Sequence, residues 1–170
     1  MNFLDLAKKR YSVRKYTDQA VSEDSMTQIL EAGRVAPTAA NKQPYHIIAV
    51  RSKEGLSKIA KTGNIHGAPL AFIVCANASE TWVRPFDGKN LADVDATIVT
   101  THMLMQATQL ELGSLWVCFF DPSVIKKEFA LPDGFEPLNI LAVGHSNEEP
   151  LSPDRHDQTR KSKEQTVTFA

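Results

Sequence analysis

Asp93-Val94-Asp95-Ala96-Thr97-Ile98-Val99-Thr100-Thr101-His102-Met103-Leu104-Met105-Gln106-Ala107-Thr108-Gln109-Leu110-Glu111-Leu112 is the stretch on which the reading of this chain turns. It reads as one long helix, and Ile98, Val99, His102, Met103, Leu104, Met105, Ala107, Thr108, Leu110 and Leu112 go most of the way round it. A helix apolar on more than one face must be buried on more than one face. In a chain of 170 residues, a second subunit is one candidate for the extra cover. Gly113 reads as the stop, in the left-handed conformation that ends many helices.

Downstream of this helix, Ser114 to Phe120 has the composition of a covered strand. Asp121-Pro122 is a helix cap followed by proline at the first helical position, predicting a helix to about Ala130. Pro132-Asp133-Gly134 turns into a strand over Leu138–Val143, which ends at Gly144. Upstream, Leu70-Ala71-Phe72-Ile73-Val74-Cys75-Ala76 is nearly all apolar, hence a strand covered on both faces. Tyr45–Val50 is a further strand, and residues 53–62 read as a surface helix. Ser22 caps a helix bounded by Pro37, with Glu23 and Asp24 at its positive end and Val21 set to staple onto Met26. Residues 2–9 form a short helix with Phe3, Leu4, Leu6 and Ala7 on its apolar side. Residues 77–92 are irregular. From Ser146 the chain turns polar, and Thr166-Val167-Thr168-Phe169 has strand composition. Helices and strands mix without strict alternation, which predicts α+β with one sheet between helices.

A hydrophobic fraction of 42% and a charged fraction of 23% suit one soluble domain with a real core. The formal net charge of −1 sets up no global field to recruit nucleic acid or an anionic membrane, so any anion site must be local. The first residues lack the basic-then-apolar layout of a secretory signal, and no apolar run approaches the ~20 residues of a spanning helix. Cys75 and Cys118 lie in separate apolar segments, which predicts buried, reduced thiols and a cytoplasmic setting.

The usual signatures of phosphate, metal and nucleophile chemistry are missing. There is no G-x-G-x-x-G after a strand, no G-x-x-x-x-G-K-[ST], no H-E-x-x-H, no C-x-x-C and no G-x-S-x-G. The five histidines share no ligand spacing, so no metal site is predicted; His102 reads as a core histidine satisfied by a hydrogen bond.

Four separated segments carry the remaining chemistry. Arg10-Tyr11-Ser12-Val13-Arg14-Lys15-Tyr16 crowds cations and a hydroxyl together, a composition that suits a phosphate or a solvated basic turn. Pro37-Thr38-Ala39-Ala40-Asn41-Lys42-Gln43-Pro44 is a loop of small and amide side chains that a flat ligand can approach, or simply a proline-bounded loop. Gly113-Ser114-Leu115-Trp116-Val117 presents a strand edge and an aromatic, and Arg160-Lys161 supplies late positive charge.

Taken in order, these segments resemble the flavin-dependent nitroreductase family over nearly the whole chain. R-Y-S-V-R-K-Y is similar to that family's R-x-S-x-R-x-[FY], and A-P-T-A-A-N-K-Q-P-Y-H to its A-P-[ST]-x-x-N-x-Q-P-[WY]-x-F. L-E-L-G-S-L-W-V is similar to G-L-G-[ST]-x-W, and R-K-S-K-E-Q-T-V to R-K-P-L-E-E-[VI]-V.

The resemblance implies a three-layer α+β fold whose central sheet is mixed but mainly antiparallel. It implies an intertwined homodimer of single domains (residues 1–170), with residues from about 146 to 170 as an arm on the partner. FMN would lie at the subunit interface. Arg10 and Ser12 would meet its phosphate with Arg160 and Lys161, Tyr11 would also contact the cofactor, and Arg14 would lie toward the ribityl chain and pyrimidine edge. Pro37, Thr38, Ala39, Asn41 and Gln43 would reach the flavin from the other subunit, and Trp116 and Val117 would line its ring. The implied activity is ping-pong electron transfer from NADH or NADPH, through FMN N5, to a nitroaromatic, quinone or similar acceptor. It needs no dedicated acid–base residue; a flavin-binding or regulatory protein with little turnover is the alternative. Trp82, Arg84 and Phe86 are candidates for the substrate rim, with a packed irregular loop as the competing reading. Departures from the pattern are Ala39-Ala40, which lack side-chain donors, and Ser162-Lys163 in place of Pro-Leu.

Overall fold

The computed structural model describes residues 2–170. Its centre is β2 (Leu70–Asn77), which alternates strictly between two cores. Leu70, Phe72, Val74 and Ala76 face one side, while Ala71, Ile73 and Cys75 face the other, as the two-residue period of a strand requires. Neighbours on both edges complete its hydrogen bonding: β1 (Tyr45–Val50) sets Ile48 opposite Ile73, and β4 (Phe135–Gly144) sets Ile140 opposite the same residue. β3 (Gly113–Val117) closes the sheet in the order β1-β2-β4-β3, every ladder antiparallel. The parallel component is a single bridge between Ser12 and Ser114.

One face of the sheet carries α2 (Glu23–Arg34) and α4 (Ala92–Gln109), and the other carries α3 (Lys53–Ile59) and α5 (Pro122–Phe129). The expected three layers are present. Caps work as the residue types dictate: the Ser22 side chain accepts from the Ser25 N–H, and the Asp121 carboxylate from that of Ser123. Cys75 is fully buried, and burial pushes its thiol up to about 12, so it stays protonated and unreactive.

Within this chain α4 is buried along a single stripe: Ala92, Asp95–Ala96, Val99–Thr100, Met103–Leu104 and Ala107–Thr108. Ile98, His102 and Met105 lie beside it, half-exposed. The helix ends differently from expectation. Glu111, not Gly113, takes the left-handed conformation (φ 61°), with Leu112 N–H donating to Ala107 O (2.9 Å) and Glu111 N–H to Thr108 O (3.1 Å). Gly113 is needed one step later for space, because a Cβ there would lie 2.8 Å from Val13 Cγ2. Gly113→Ala should therefore cost roughly 1–3 kcal/mol by overpacking, read as a lower denaturation midpoint; an unchanged midpoint would mean that Val13 gives way freely.

Other local expectations also need correction. Cys118 is exposed because β3 stops at Val117, one residue short of it. His102 is satisfied as expected, its Nδ1 within 2.9 Å of Ile98 O, but it borders solvent rather than the core. Thr166–Phe169 forms no strand within the chain: α7 (Lys163–Thr166), held by the Ser162–Gln165 capping box, follows α6 (Arg155–Thr159), and the last residues pair with none of the sheet's four strands.

All three tyrosines are held above their ordinary ionisation range, chiefly by burial, most strongly Tyr16, whose hydroxyl donates to Ala142 O at 3.4 Å. The folded state thus resists losing these protons more than the unfolded state does. Its stability is intact below about pH 10 and falls as pH rises beyond it. In an ultraviolet titration the native phenols should ionise at higher pH than in urea; superimposed curves would contradict this burial.

Candidate functional site

The basic heptad leaves α1 (Phe3–Lys9) at Arg10 and runs along the free edge of β3. Val13 N–H donates to Ser114 O (3.0 Å), and the Val13 side chain, 1% exposed, packs onto Gly113. That inward valine fixes the facing of its neighbours. Arg10 Nη1 lies 3.4 Å from Ser12 Oγ, and Arg14 Nη1 donates to Ser12 O at 3.4 Å. Tyr11 and Arg10 border a cavity of about 210 Å³ with Ser114, whose hydroxyl is buried without a hydrogen-bond partner.

The tail returns to this edge through a residue that the motifs did not single out. Arg155 donates from Nη1 to Lys8 O (3.0 Å) and Ser152 O (2.8 Å), and from Nη2 to Arg10 O (2.5 Å). Arg160 Nε donates to His156 Nδ1 (3.4 Å), which leaves the proton on His156 Nε2 to meet Lys8 O (3.3 Å). Arg10 is held below its ordinary value by burial first, then by the like charges of Arg155 and Arg160. None of these three arginines forms an ion pair with a described carboxylate. Lys161 is exposed and has no hydrogen bond among the described residues.

The 37–43 loop is built on the opposite end of α4. Ala39 N–H donates to Asp95 Oδ1 (2.9 Å), and Asp95 is 1% exposed in the first turns of that helix. Thr38 Oγ1 accepts from Gln43 N–H (3.0 Å), while Gln43 Nε2 donates to Asn41 O (3.2 Å). Ala40, Asn41 and Gln43 all have positive φ (49°, 54° and 52°), a run that costs of order 1–3 kcal/mol per residue and persists only where the surroundings over-determine it. Pro37, Asn41 and Gln43 face outward. Asp95→Ala would orphan the Ala39 N–H, so a loss of about 1–3 kcal/mol in stability is expected, with faster amide exchange across 38–43; slow exchange in that variant would show the loop standing without its anchor.

The predicted residues therefore fall into two groups. The arginine edge adjoins Thr108, and the loop adjoins Asp95; at roughly 1.5 Å per residue, α4 holds them about 20 Å apart. Trp116 and Val117 also separate. Trp116 packs on the α2–α4 side with its Nε1–H directed at Cys118 Sγ (3.1 Å), whereas Val117 packs with Leu115 on the α3–α5 side. Consecutive strand residues point to opposite faces, so the two side chains cannot line one surface together. Trp82, Arg84 and Phe86 lie on a hairpin closed by the Val83–Asn90 bridge and the Arg84–Asp87 ion pair, with Phe86 94% exposed. Asn90 Oδ1 accepts from Ala92 N–H (3.0 Å), so this hairpin belongs to the loop's end of α4.

Between α1, α2 and α4 runs a groove of about 780 Å³, bordered by Phe3, Val35, His102 and Met105 among others. Phe3 and Val35 are 73% and 59% exposed. Among the described residues no group of His, Cys, Asp and Glu is arranged to hold a metal, and no helix is long and apolar enough to cross a membrane.

The profile of the Nitroreductase family matches residues 7–62 and 60–145. The chain belongs to the nitroreductase family. A nitroreductase family protein from Clostridium difficile 630 superposes with a TM-score of 0.96 and 48% identity over 99% of this chain and 98% of that one. An FMN-dependent nitroreductase from C. difficile R20291 gives 0.80 at 27% identity, covering 96% of each chain. Among curated relatives, the FMN reductase (NAD(P)H) of Bacillus subtilis is 26% identical over 91% of this chain and 70% of its own length. The profile stops before the tail, so Arg155 and Arg160 lie outside the part by which this nitroreductase is recognised.

Proposed function

We propose that this nitroreductase binds FMN and passes electrons from NADH or NADPH to an electron-poor small molecule such as a nitroaromatic or quinone. The observation that carries the reading is the arginine edge: Arg10 lies beside Ser12 under the like charges of Arg155 and Arg160, and none of the three forms an ion pair with a described carboxylate. Burial and like charge both disfavour the Arg10 cation, and the charge of a phosphate, about −1.5 to −2, offsets both. The donor set therefore fits the phosphate of FMN. The relatives' names support the same cofactor and electron donors.

In this reading Arg10, Ser12 and Arg160 hold the phosphate, and Arg14 supplies positive charge toward the ring. The loop from Pro37 to Gln43 reaches a flavin held by the other subunit, because about 20 Å of α4 separates it from its own arginine edge. Two copies joined through the groove of α1, α2 and α4 make the site whole, with the tail beyond Arg160 extending onto the partner. FMN supplies the redox chemistry when bound; the protein binds it, orients it and tunes its charge. No side chain is assigned to acid–base work.

The test is anaerobic stopped-flow mixing of the FMN-loaded protein with NADH or NADPH. Flavin bleaching much faster than that of free FMN is expected. Bleaching no faster than free FMN would overturn the enzymatic reading and leave a flavin-binding protein.

A further inference from the structure

We propose that Arg155 is the positioning residue of the anion site, holding Arg160 against Arg10 through α1 without itself touching the ligand. The inference rests on the FMN reading above. Arg155 spends its two Nη groups on three backbone carbonyls, those of Lys8, Arg10 and Ser152. The first two lie at the C-terminal end of α1, where helix carbonyls lack intrahelical partners and a cation is favoured. These bonds fix the backbone of Arg10 directly. They also fix the start of α6, across whose single turn Arg160 reaches back to His156, itself bonded to Lys8 O.

This attachment is needed because the parts it joins repel each other. Arg10 carries a charge disfavoured by both Arg155 and Arg160, yet residues 145–170 contribute no buried side chain that would pin the tail by packing. A planar fork satisfying several carbonyls at once does what apolar contact does not. With its donors so engaged, Arg155 acts on the phosphate only by where it keeps Arg10 and Arg160.

The test measures dissociation constants for FMN and for riboflavin, which lacks the phosphate, in the wild type, Arg155→Gln, Arg155→Lys, Arg160→Gln and the Arg155→Gln/Arg160→Gln double variant. Arg155→Gln should weaken FMN about tenfold, the scale of one misplaced charge-assisted contact, and leave riboflavin unchanged. Arg155→Lys should behave like Arg155→Gln, since one ammonium cannot span the three carbonyls in this geometry. The double variant should bind FMN as Arg155→Gln does. Full FMN affinity in Arg155→Lys, strictly additive losses in the double variant, or equal losses for FMN and riboflavin would each overturn the positioning role. A wild type that binds FMN and riboflavin alike would refute the phosphate clamp itself, and this role with it. Without FMN the Gln variants should melt at or slightly above the wild type, because the tail lies outside both cores and each loss relieves repulsion on Arg10.

Discussion

Met105→Glu is expected to yield a folded chain that remains monomeric and loses FMN altogether. Met105 borders the groove between α1, α2 and α4 and is half-exposed in the protomer, so a carboxylate there stays hydrated and the fold survives. In a two-fold dimer the same residue enters the interface from both chains. An unpaired carboxylate buried there costs several kcal/mol per ion even after relaxation, and two such ions exceed what most interfaces tolerate. FMN is lost with the dimer, because the arginine edge and the 37–43 loop sit at opposite ends of α4. Sedimentation velocity with flavin absorbance measures both outcomes together. A dimer that retains FMN would move the interface away from this face.

Arg10→Ala should weaken FMN by roughly 1.5–3 kcal/mol, a factor of about 10–150, through loss of a charge-assisted phosphate contact. A second effect is relief of repulsion, since removing Arg10 takes away a half-buried cation disfavoured by Arg155 and Arg160. That relief stabilises the ligand-free protein and adds to the apparent loss of affinity. Its melting temperature without FMN should therefore rise slightly, while FMN should raise it less than in the wild type. Equilibrium dialysis and thermal melts read the two effects separately. Unchanged FMN affinity would remove Arg10 from the site.

Much of this architecture can be read in the chain because its physics is local. The run from Leu70 to Ala76 has no polar face, so it must be covered twice; Ser22 and Asp121 stand where a helix needs an acceptor. The misread points depend on contacts between distant segments. Gly113 looks like a helix stop, but the space above it is taken by Val13, a hundred residues earlier, and Glu111 accepts the left-handed turn instead. Arg155 is silent in the sequence because its partners are backbone carbonyls, which leave no mark in a side-chain pattern. Thr166–Phe169 has strand composition but pairs with no strand of its own chain, since composition reports preference and pairing requires a neighbour. The facing of Trp116 and Val117 was legible all along: adjacent residues on a strand cannot share a side.

The most direct measurement of the central claim is the flavin stoichiometry of the sedimenting species. Ligand-free protein is loaded with FMN, and sedimentation is followed at both protein and flavin wavelengths. One boundary is expected in both signals, at the mass of a dimer, carrying one FMN per chain. FMN travelling at full occupancy with a monomer, or left behind in solution at concentrations that saturate other FMN sites, would contradict it.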